Sequence, residues 1–249
     1  MLVLKRLLWC ITGAGGYLRD VYYQLKQFRE RFPHVEIEIV MSKAGLEVSR
    51  IYGVLDDLRH IASGGRYGLL HLDVSPSGIG RYGIPLGGRV SLRRYNIVLI
   101  APASSNTVAK IAHGIADSPP TIASSQALKA GVPLVVLPAD NPSDPVTTLP
   151  CYIDMSKCTL CYSCVKECPY KAISVEKDGT LHLDYTLCRG CGLCGDVCDA
   201  KAVRCWEKAR INITPIDLEN IEKLRKMPKT FVVNNPYELV EKIASLLGI

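Results

Sequence analysis

Cys158-Thr-Leu-Cys161-Tyr-Ser-Cys164-Val-Lys-Glu-Cys168-Pro169 and Cys188-Arg-Gly-Cys191-Gly-Leu-Cys194-Gly-Asp-Val-Cys198-Asp199 are one pattern written twice. Each cysteine of the second run lies 30 residues after its counterpart in the first. The apolar pairs Ala172-Ile173 and Ala202-Val203 keep the same offset. A fixed period shared by sulfur-bearing and core-type positions marks a duplicated structural unit. The segment should therefore fold about a pseudo-two-fold axis.

The spacing C-x2-C-x2-C-x3-C-P resembles that of bacterial ferredoxins, in which such runs ligate 4Fe–4S clusters and the fourth cysteine of each run serves the other cluster. Two 4Fe–4S clusters are expected. One should use Cys158, Cys161, Cys164 and Cys198; the other should use Cys188, Cys191, Cys194 and Cys168. Asp199 stands where the second run would carry its proline. Zinc ribbons need two CxxC pairs across a long spacer and do not explain two identical four-cysteine runs. A disulfide framework belongs to secreted chains, and nothing here marks secretion. Cluster ligation requires a reducing interior, so the expected location is the cytoplasm. Of the three other cysteines, Cys10 lies in an apolar strand and reads as core. Cys151 and Cys205 flank the cluster segment and carry no assigned chemistry.

The chain has 249 residues, 48% of them hydrophobic and 22% charged, the composition of a packed globular protein rather than a disordered one. Its net charge of +6 suits an anionic substrate or an acidic redox partner, and is too scattered to indicate nucleic acid. Apolar runs such as Asn96–Ala103 and Val132–Leu137 fall far short of the roughly 20 residues of a membrane span. The N-terminal MLVLKRLLWCITG carries Lys5 and Arg6 within its apolar stretch and runs into a glycine turn, so it reads as a first strand and not as a signal peptide.

That strand, Leu7–Thr12, ends in Gly13-Ala14-Gly15-Gly16, and a helical pattern follows from Leu18 to Phe32. Strand, glycine turn and helix open a doubly wound α/β domain, with backbone N–H groups free to meet a phosphate. A dinucleotide fingerprint would need a small residue at position 18, which is Leu18. The second strand, Val35–Val40, would need to end in an acid and instead leads into Met41-Ser42-Lys43. The turn therefore reads as a mononucleotide site. Residues 44–62 look helical. Residues 63–92, rich in Gly, Ser and Pro, read as a functional loop whose Arg66, Tyr67, Arg81, Tyr82, Arg89, Arg93 and Arg94 would form either a solvated basic surface or an anion-binding mouth.

After an apolar strand at Asn96–Ile100 comes Ala101-Pro102-Ala103-Ser104-Ser105-Asn106-Thr107, then Ala109-Lys110-Ile111-Ala112-His113-Gly114-Ile115-Ala116-Asp117. This run resembles the signature of the flavoprotein family that includes the homo-oligomeric flavin-containing cysteine decarboxylases. The resemblance implies FMN, held by Thr12, Gly13, Ala14, Gly15, Gly16, Ser42, Ala103, Ser104, Ser105, Asn106, Thr107 and Asp117. Two departures argue against decarboxylation. Asp140 replaces the Met of the decarboxylases' Pro-Ala-Met-Asn, and no histidine lies between His71 and His113, where a catalytic one precedes their APA strand.

Beyond the cluster segment, Ile211–Thr214, a helical Asp217–Lys226, a strand Thr230–Val233 and a helix Pro236–Leu247 exceed what a small ferredoxin needs. The expected fold is α/β, a Rossmann-like doubly wound parallel sheet with an inserted bacterial-type two-cluster ferredoxin. Its expected parts are 1–150 for the flavoprotein domain, 151–209 for the ferredoxin and 210–249 for completion of the flavoprotein domain. The combination resembles the archaeal flavoproteins of the dihydromethanopterin reductase group. That resemblance implies single electrons from a reduced ferredoxin or similar low-potential donor, collected on FMN and used to reduce an anionic pterin, dihydromethanopterin, in a homotrimer or a multiple of it. No catalytic side chain is identified. The competing reading is a ferredoxin–flavin relay to a protein partner.

Overall fold

The computed structural model describes residues 5–62, 70–72 and 84–249. In chain order the first part holds β1 (Lys5–Ile11), α1 (Leu18–Arg31), β2 (Val35–Met41), α2 (Lys43–Ile51), α3 (Leu58–Ile61), β3 (Leu70–Leu72), α4 (Leu86–Ser91), β4 (Ile97–Ala103), α5 (Ser105–Ala112), α6 (Pro119–Ala130) and β5 (Leu134–Pro138). The cysteine-rich stretch follows with β6 (Val146–Thr148), β7 (Tyr152–Ile153), α7 (Ser163–Glu167), β8 (Ile173–Val175), β9 (Leu181–Leu183), α8 (Leu193–Asp196), β10 (Val203–Arg204) and β11 (Lys208–Arg210). Then come α9 (Pro215–Arg225), β12 (Thr230–Val232) and α10 (Pro236–Leu247).

Six strands form one parallel sheet in the order β3-β2-β1-β4-β5-β12. The order reverses between β1 and β4, which puts the doubly wound switch point beside the Gly13–Gly16 turn. β12 comes after all the cluster cysteines and still pairs with β5, Thr230 opposite Leu134. The central strands are buried on both faces and so read as near-continuous apolar runs. One face packs Trp9, Ile37 and Leu99 against Leu18 and Val21 of α1 and against Leu239 and Ile243 of α10. The other packs Leu8, Val98 and Val136 against Val108, Ala123 and Leu224.

Local chemistry sets the element ends. Ser42 caps α2 by accepting from Gly45 N at 3.0 Å. Thr214 and Asp217 form a reciprocal capping box around Pro215 at the start of α9. Asn235 accepts from the backbone N–H groups of Tyr237 and Glu238 at the start of α10.

The sequence reading is corrected in three places. The helix expected over 44–62 is two helices, because Gly53 adopts φ +69° and ends the first turn cluster after α2. The loop expected over 63–92 contains a sheet strand, β3, and a helix, α4, that packs on α6. Gly87 and Gly88 lowered the helical signal of α4, and Gly87 also lets it approach α6, where a Cβ on Gly87 would lie 3.3 Å from Ile122. Arg89 is no part of a cationic mouth. It is buried, ion-paired to Glu38 of β2, whose other carboxylate oxygen accepts from the Tyr95 hydroxyl at 2.6 Å. Arg93 donates to the Ala130 carbonyl at 2.8 Å, and Arg94 is exposed. Arg66, Tyr67, Arg81 and Tyr82 lie outside the described residues. Among the described residues no helix is long and apolar enough to cross a membrane.

Candidate functional site

The eight repeated cysteines gather around two cavities, and each cavity mixes the two runs. One is lined by Cys158, Cys161, Cys164 and Cys198. The other is lined by Cys168, Cys188, Cys191 and Cys194. Their remaining walls are apolar, with Leu181, Val197 and Val203 in the first and Ile173 and Leu183 in the second. Four sulfurs in an apolar setting suit a sulfur-ligated cluster, whose potential is then set by burial and by hydrogen bonds to sulfur.

The repeat is visible bond by bond. Ala172 N donates to Cys168 Sγ at 3.3 Å, and Ala202 N donates to Cys198 Sγ at 3.2 Å. Lys171 and Lys201 both take left-handed backbone, at φ +52° and +50°. Asp184 N donates to Ala172 O and Asp154 N to Ala202 O, each at 2.8 Å. Two antiparallel ribbons, β8–β9 and β7–β10, occupy equivalent places. Burial raises the Cys164 and Cys188 thiols above the ordinary thiol range. Burial first, then the neighbouring Cys188, Cys191 and Cys168, push Cys194 up to about 11. Cys161 is held lower than usual, chiefly by the backbone N–H of Ser163. Iron offsets these costs by taking the thiolates as ligands.

The second cavity is the one joined to the parallel sheet domain. Arg50, at the end of α2, donates through Nη1 to three carbonyls of the loop entering it: Tyr185 at 2.6 Å, Thr186 at 2.9 Å and Cys188 at 2.7 Å. Backbone meets backbone beside it. A Cβ on Gly53 would lie 2.2 Å from Gly190 O, and one on Gly190 would lie 2.2 Å from Ile51 O. Trp206 fills the next gap, with the Arg19 guanidinium 3.9 Å from its ring centroid and Gly192 against its far side. Tyr52 closes the wall toward the sheet. Its hydroxyl donates to Thr148 O at 2.5 Å and occupies the place where a Gly15 Cβ would stand. Burial pushes the Tyr52 phenol up to about 12, so it remains a neutral donor at any ordinary pH. Gly190→Ala should therefore destabilise the protein by at least about 2 kcal/mol, from left-handed backbone plus overpacking. Urea denaturation would measure this, and a variant within about 0.5 kcal/mol of the parent would refute the close contact.

At the carboxyl ends of β1, β2 and β4 the residues expected to hold a flavin converge. Thr12 Oγ1 donates to Pro102 O at 2.7 Å and accepts from Ser104 N at 2.9 Å, tying the Gly13–Gly16 turn to the start of α5. Ser42 N donates to Ile11 O at 3.1 Å, tying in α2. A Cβ on Gly13 would lie 2.6 Å from that of Ala44, and one on Gly45 would lie 2.4 Å from Ile11 O, so the turn nests against α2 only as glycine. Ser104 caps α5. Ser105, Asn106 and Thr107 form its first turn, where free N–H groups favour an anion. Asp117 sits farther along, in the α5–α6 loop. Lys110 binds its carboxylate at 2.7 Å and holds it below the usual carboxylate range.

Sequence reasoning missed Arg50, Tyr52, Gly53, Gly190 and Trp206. Gly53 and Gly190 are far apart in the chain and match no short motif. Arg50 looked like one surface cation among many. It also missed that Cys151 and Cys205 form a disulfide.

Residues 1–149 match the Flavoprotein family, and residues 151–174 match the 4Fe-4S binding domain. The second cysteine run lies beyond that second match and is placed by the cavity geometry alone. The dihydromethanopterin reductase (acceptor) of Methanosarcina mazei is 35% identical over 239 residues, 95% of this chain and 98% of that protein. The protein of the same name from Methanocaldococcus jannaschii is 37% identical over 237 residues, 95% of this chain and 94% of that protein. A crystal structure of Burkholderia xenovorans DmrB in complex with FMN, described as a cubic protein cage for redox transfer, is similar over 100% of both chains, with a TM-score of 0.62 at 22% identity, a likeness of fold.

Proposed function

The chain belongs to the flavoprotein family and, within it, to the family of the two archaeal dihydromethanopterin reductases (acceptor), and from that premise we propose that it is an iron–sulfur flavoprotein reducing dihydromethanopterin to tetrahydromethanopterin. The observation that carries this reading is the attachment of one four-cysteine cavity, through Arg50, Gly53 and Tyr52, to the wall of the glycine turn. When bound, the two 4Fe–4S clusters supply single-electron transfer and FMN supplies two-electron reduction of the organic acceptor.

The protein's own work is positioning. Cys158, Cys161, Cys164 and Cys198 hold the outer cluster; Cys168, Cys188, Cys191 and Cys194 hold the inner one, against α2. Thr12, Gly13–Gly16, Ser42 and Ala103–Thr107 hold FMN, and the turn, nested on Ala44 and Tyr52, presents N–H groups where side chains would intrude. The flavoprotein domain takes residues 1–150 and 210–249, and the ferredoxin 151–209. A positive net charge favours the approach of an anionic pterin. The electron donor is a reduced ferredoxin or a carrier of similar low potential. The assembly is a homotrimer or a multiple of it, in the cytoplasm.

Two measurements test this. Mass spectrometry of released flavin should find FMN, and bound FAD would overturn the reading of the turn as a one-phosphate site. Protein reduced anaerobically, with no partner present, should have its flavin reoxidised by dihydromethanopterin within the mixing experiment. Reoxidation by a partner protein but not by the pterin would replace the enzyme with a relay.

A further inference from the structure

Cys151 and Cys205 close the root of the cluster segment with a disulfide that spans 54 residues of chain. The sulfurs of Cys151, Cys205 and Cys194 all lie within 4.8 Å of one another. Cys194 is one of the four cysteines of the inner cavity, and Cys151 lines that same cavity. Cys151 is only 1% exposed, whereas Cys205 is half-buried, its Sγ packed 3.6 Å from the Cβ direction of Gly195. Tyr185 holds the Cys151 backbone in place by donating to its carbonyl at 2.7 Å, and the same Tyr185 carbonyl is gripped by Arg50. One network thus fixes the disulfide, the inner cavity and α2 together.

We propose that Cys151–Cys205 is a redox-active pair, reduced and reoxidised through the inner cluster, and not a passive staple. The inference rests on the reading of the two cavities as cluster sites. Reduction by thiol exchange requires a thiolate to reach a disulfide sulfur in the plane of attack. Burial of Cys151 within the cavity wall obstructs that route from its side. An electron needs no such approach, and a cluster ligand in near contact with both sulfurs provides its path. The step balances as follows. The Cys151–Cys205 S–S bond breaks on taking up two electrons and two protons, leaving two thiols. The electrons come singly from a low-potential one-electron reductant of the ferredoxin class, by way of the cluster. The protons come from solvent on the half-buried Cys205 side. In the opposite direction the dithiol gives two electrons, singly by way of the cluster, to the oxidised flavin and releases two protons, and the S–S bond forms again. The pair therefore stores the number of electrons that one flavin reduction consumes, next to the one-electron carrier that delivers them.

The experiment uses the full protein prepared anaerobically with its iron and flavin. Samples are oxidised, titrated coulometrically to full reduction, quenched in acid, unfolded, alkylated and mapped by peptide mass. The parent should take up about six electrons per chain: one for each cluster, two for flavin and two for the disulfide. Cys151→Ser/Cys205→Ser, with the parent's iron and flavin content, should take up about four. Cys151 and Cys205 should be alkylated in the reduced parent and protected in the oxidised one. In Cys194→Ser, lacking the inner cluster, the same reductant should leave them protected. Equal electron uptake by parent and double variant overturns the proposal. So does alkylation that is unchanged by reduction, or equally fast reduction in Cys194→Ser. Iron and flavin are assayed in the same samples. Protein free of iron overturns the cluster reading itself, while a full complement of iron with an inert disulfide overturns this inference alone.

Discussion

Cys168→Ser and Cys198→Ser should each cost the protein one cluster while leaving the other, so that about four of about eight iron atoms per chain remain. The reason lies in which cavity each sulfur lines. Cys168 belongs by sequence to the first run, yet it lines the cavity of Cys188, Cys191 and Cys194. Cys198 belongs to the second run and lines the cavity of Cys158, Cys161 and Cys164. Spectroscopy can identify the lost cluster. The paramagnetic signal that survives in Cys168→Ser should match the one that survives in Cys194→Ser, and that of Cys198→Ser should match Cys164→Ser. If Cys168→Ser instead behaves like Cys164→Ser, the runs are not crossed and the ligand assignment is wrong. Serine retains a hydroxyl of similar size, so a spared cluster with intact flavin separates ligand loss from misfolding.

The second large effect is expected far from the iron. Arg89→Ala should destabilise the protein by about 3–5 kcal/mol, because it breaks the buried ion pair that Arg89 makes with the Glu38 carboxylate. Glu38 is 6% exposed and stands opposite Leu8 of β1 in the sheet. The Tyr95 hydroxyl, raised far above its ordinary range by burial and then by Glu38, still donates to that carboxylate but carries no charge to neutralise it. Against a typical total stability of about 5–15 kcal/mol such a loss is severe. Arg89→Met combined with Glu38→Gln should recover a large part of it, since removing both charges restores neutrality and keeps an acceptor for Tyr95. Chemical denaturation of the single and double variants forms the cycle. A single variant within about 0.5 kcal/mol of the parent would sink the argument.

These two cases show what the sequence makes legible. The grouping of the cysteines could be read because metal ligation imposes short, fixed spacings and the duplication repeats them. The parallel strands could be read because burial on both faces demands unbroken apolar runs such as Leu7–Ile11 and Leu134–Leu137. Arg89 could not be placed, because a cation beside glycines and a proline looks like loop surface until Glu38 is known to face it. The same holds for Gly53 and Gly190. Each glycine is explained only by the backbone of the other's segment, and no spacing rule joins positions so far apart. Cys151 and Cys205 were visible as extra cysteines, but their pairing needed β7 and β10 to bring the two ends of the segment side by side. At the glycine turn, Ser42 and Ser104 serve as helix caps, a role that hydroxyl side chains just before a helix take for purely local reasons.

The position of β12 has a consequence for how the protein is made. During synthesis β1 to β5 leave the ribosome first, then every cluster cysteine, and only afterwards β12 and α10. Until then β5 keeps an unpaired edge, and α1 lacks the partner that Leu239 and Ile243 provide. An open parallel edge and an uncovered apolar helix face are aggregation hazards in a nascent chain. A cysteine-rich segment that ties its own root, through β6–β11 and β7–β10, shortens the loop across which the sheet must close. In the cell, supply of iron and sulfide would then govern the yield of soluble chain as well as its colour.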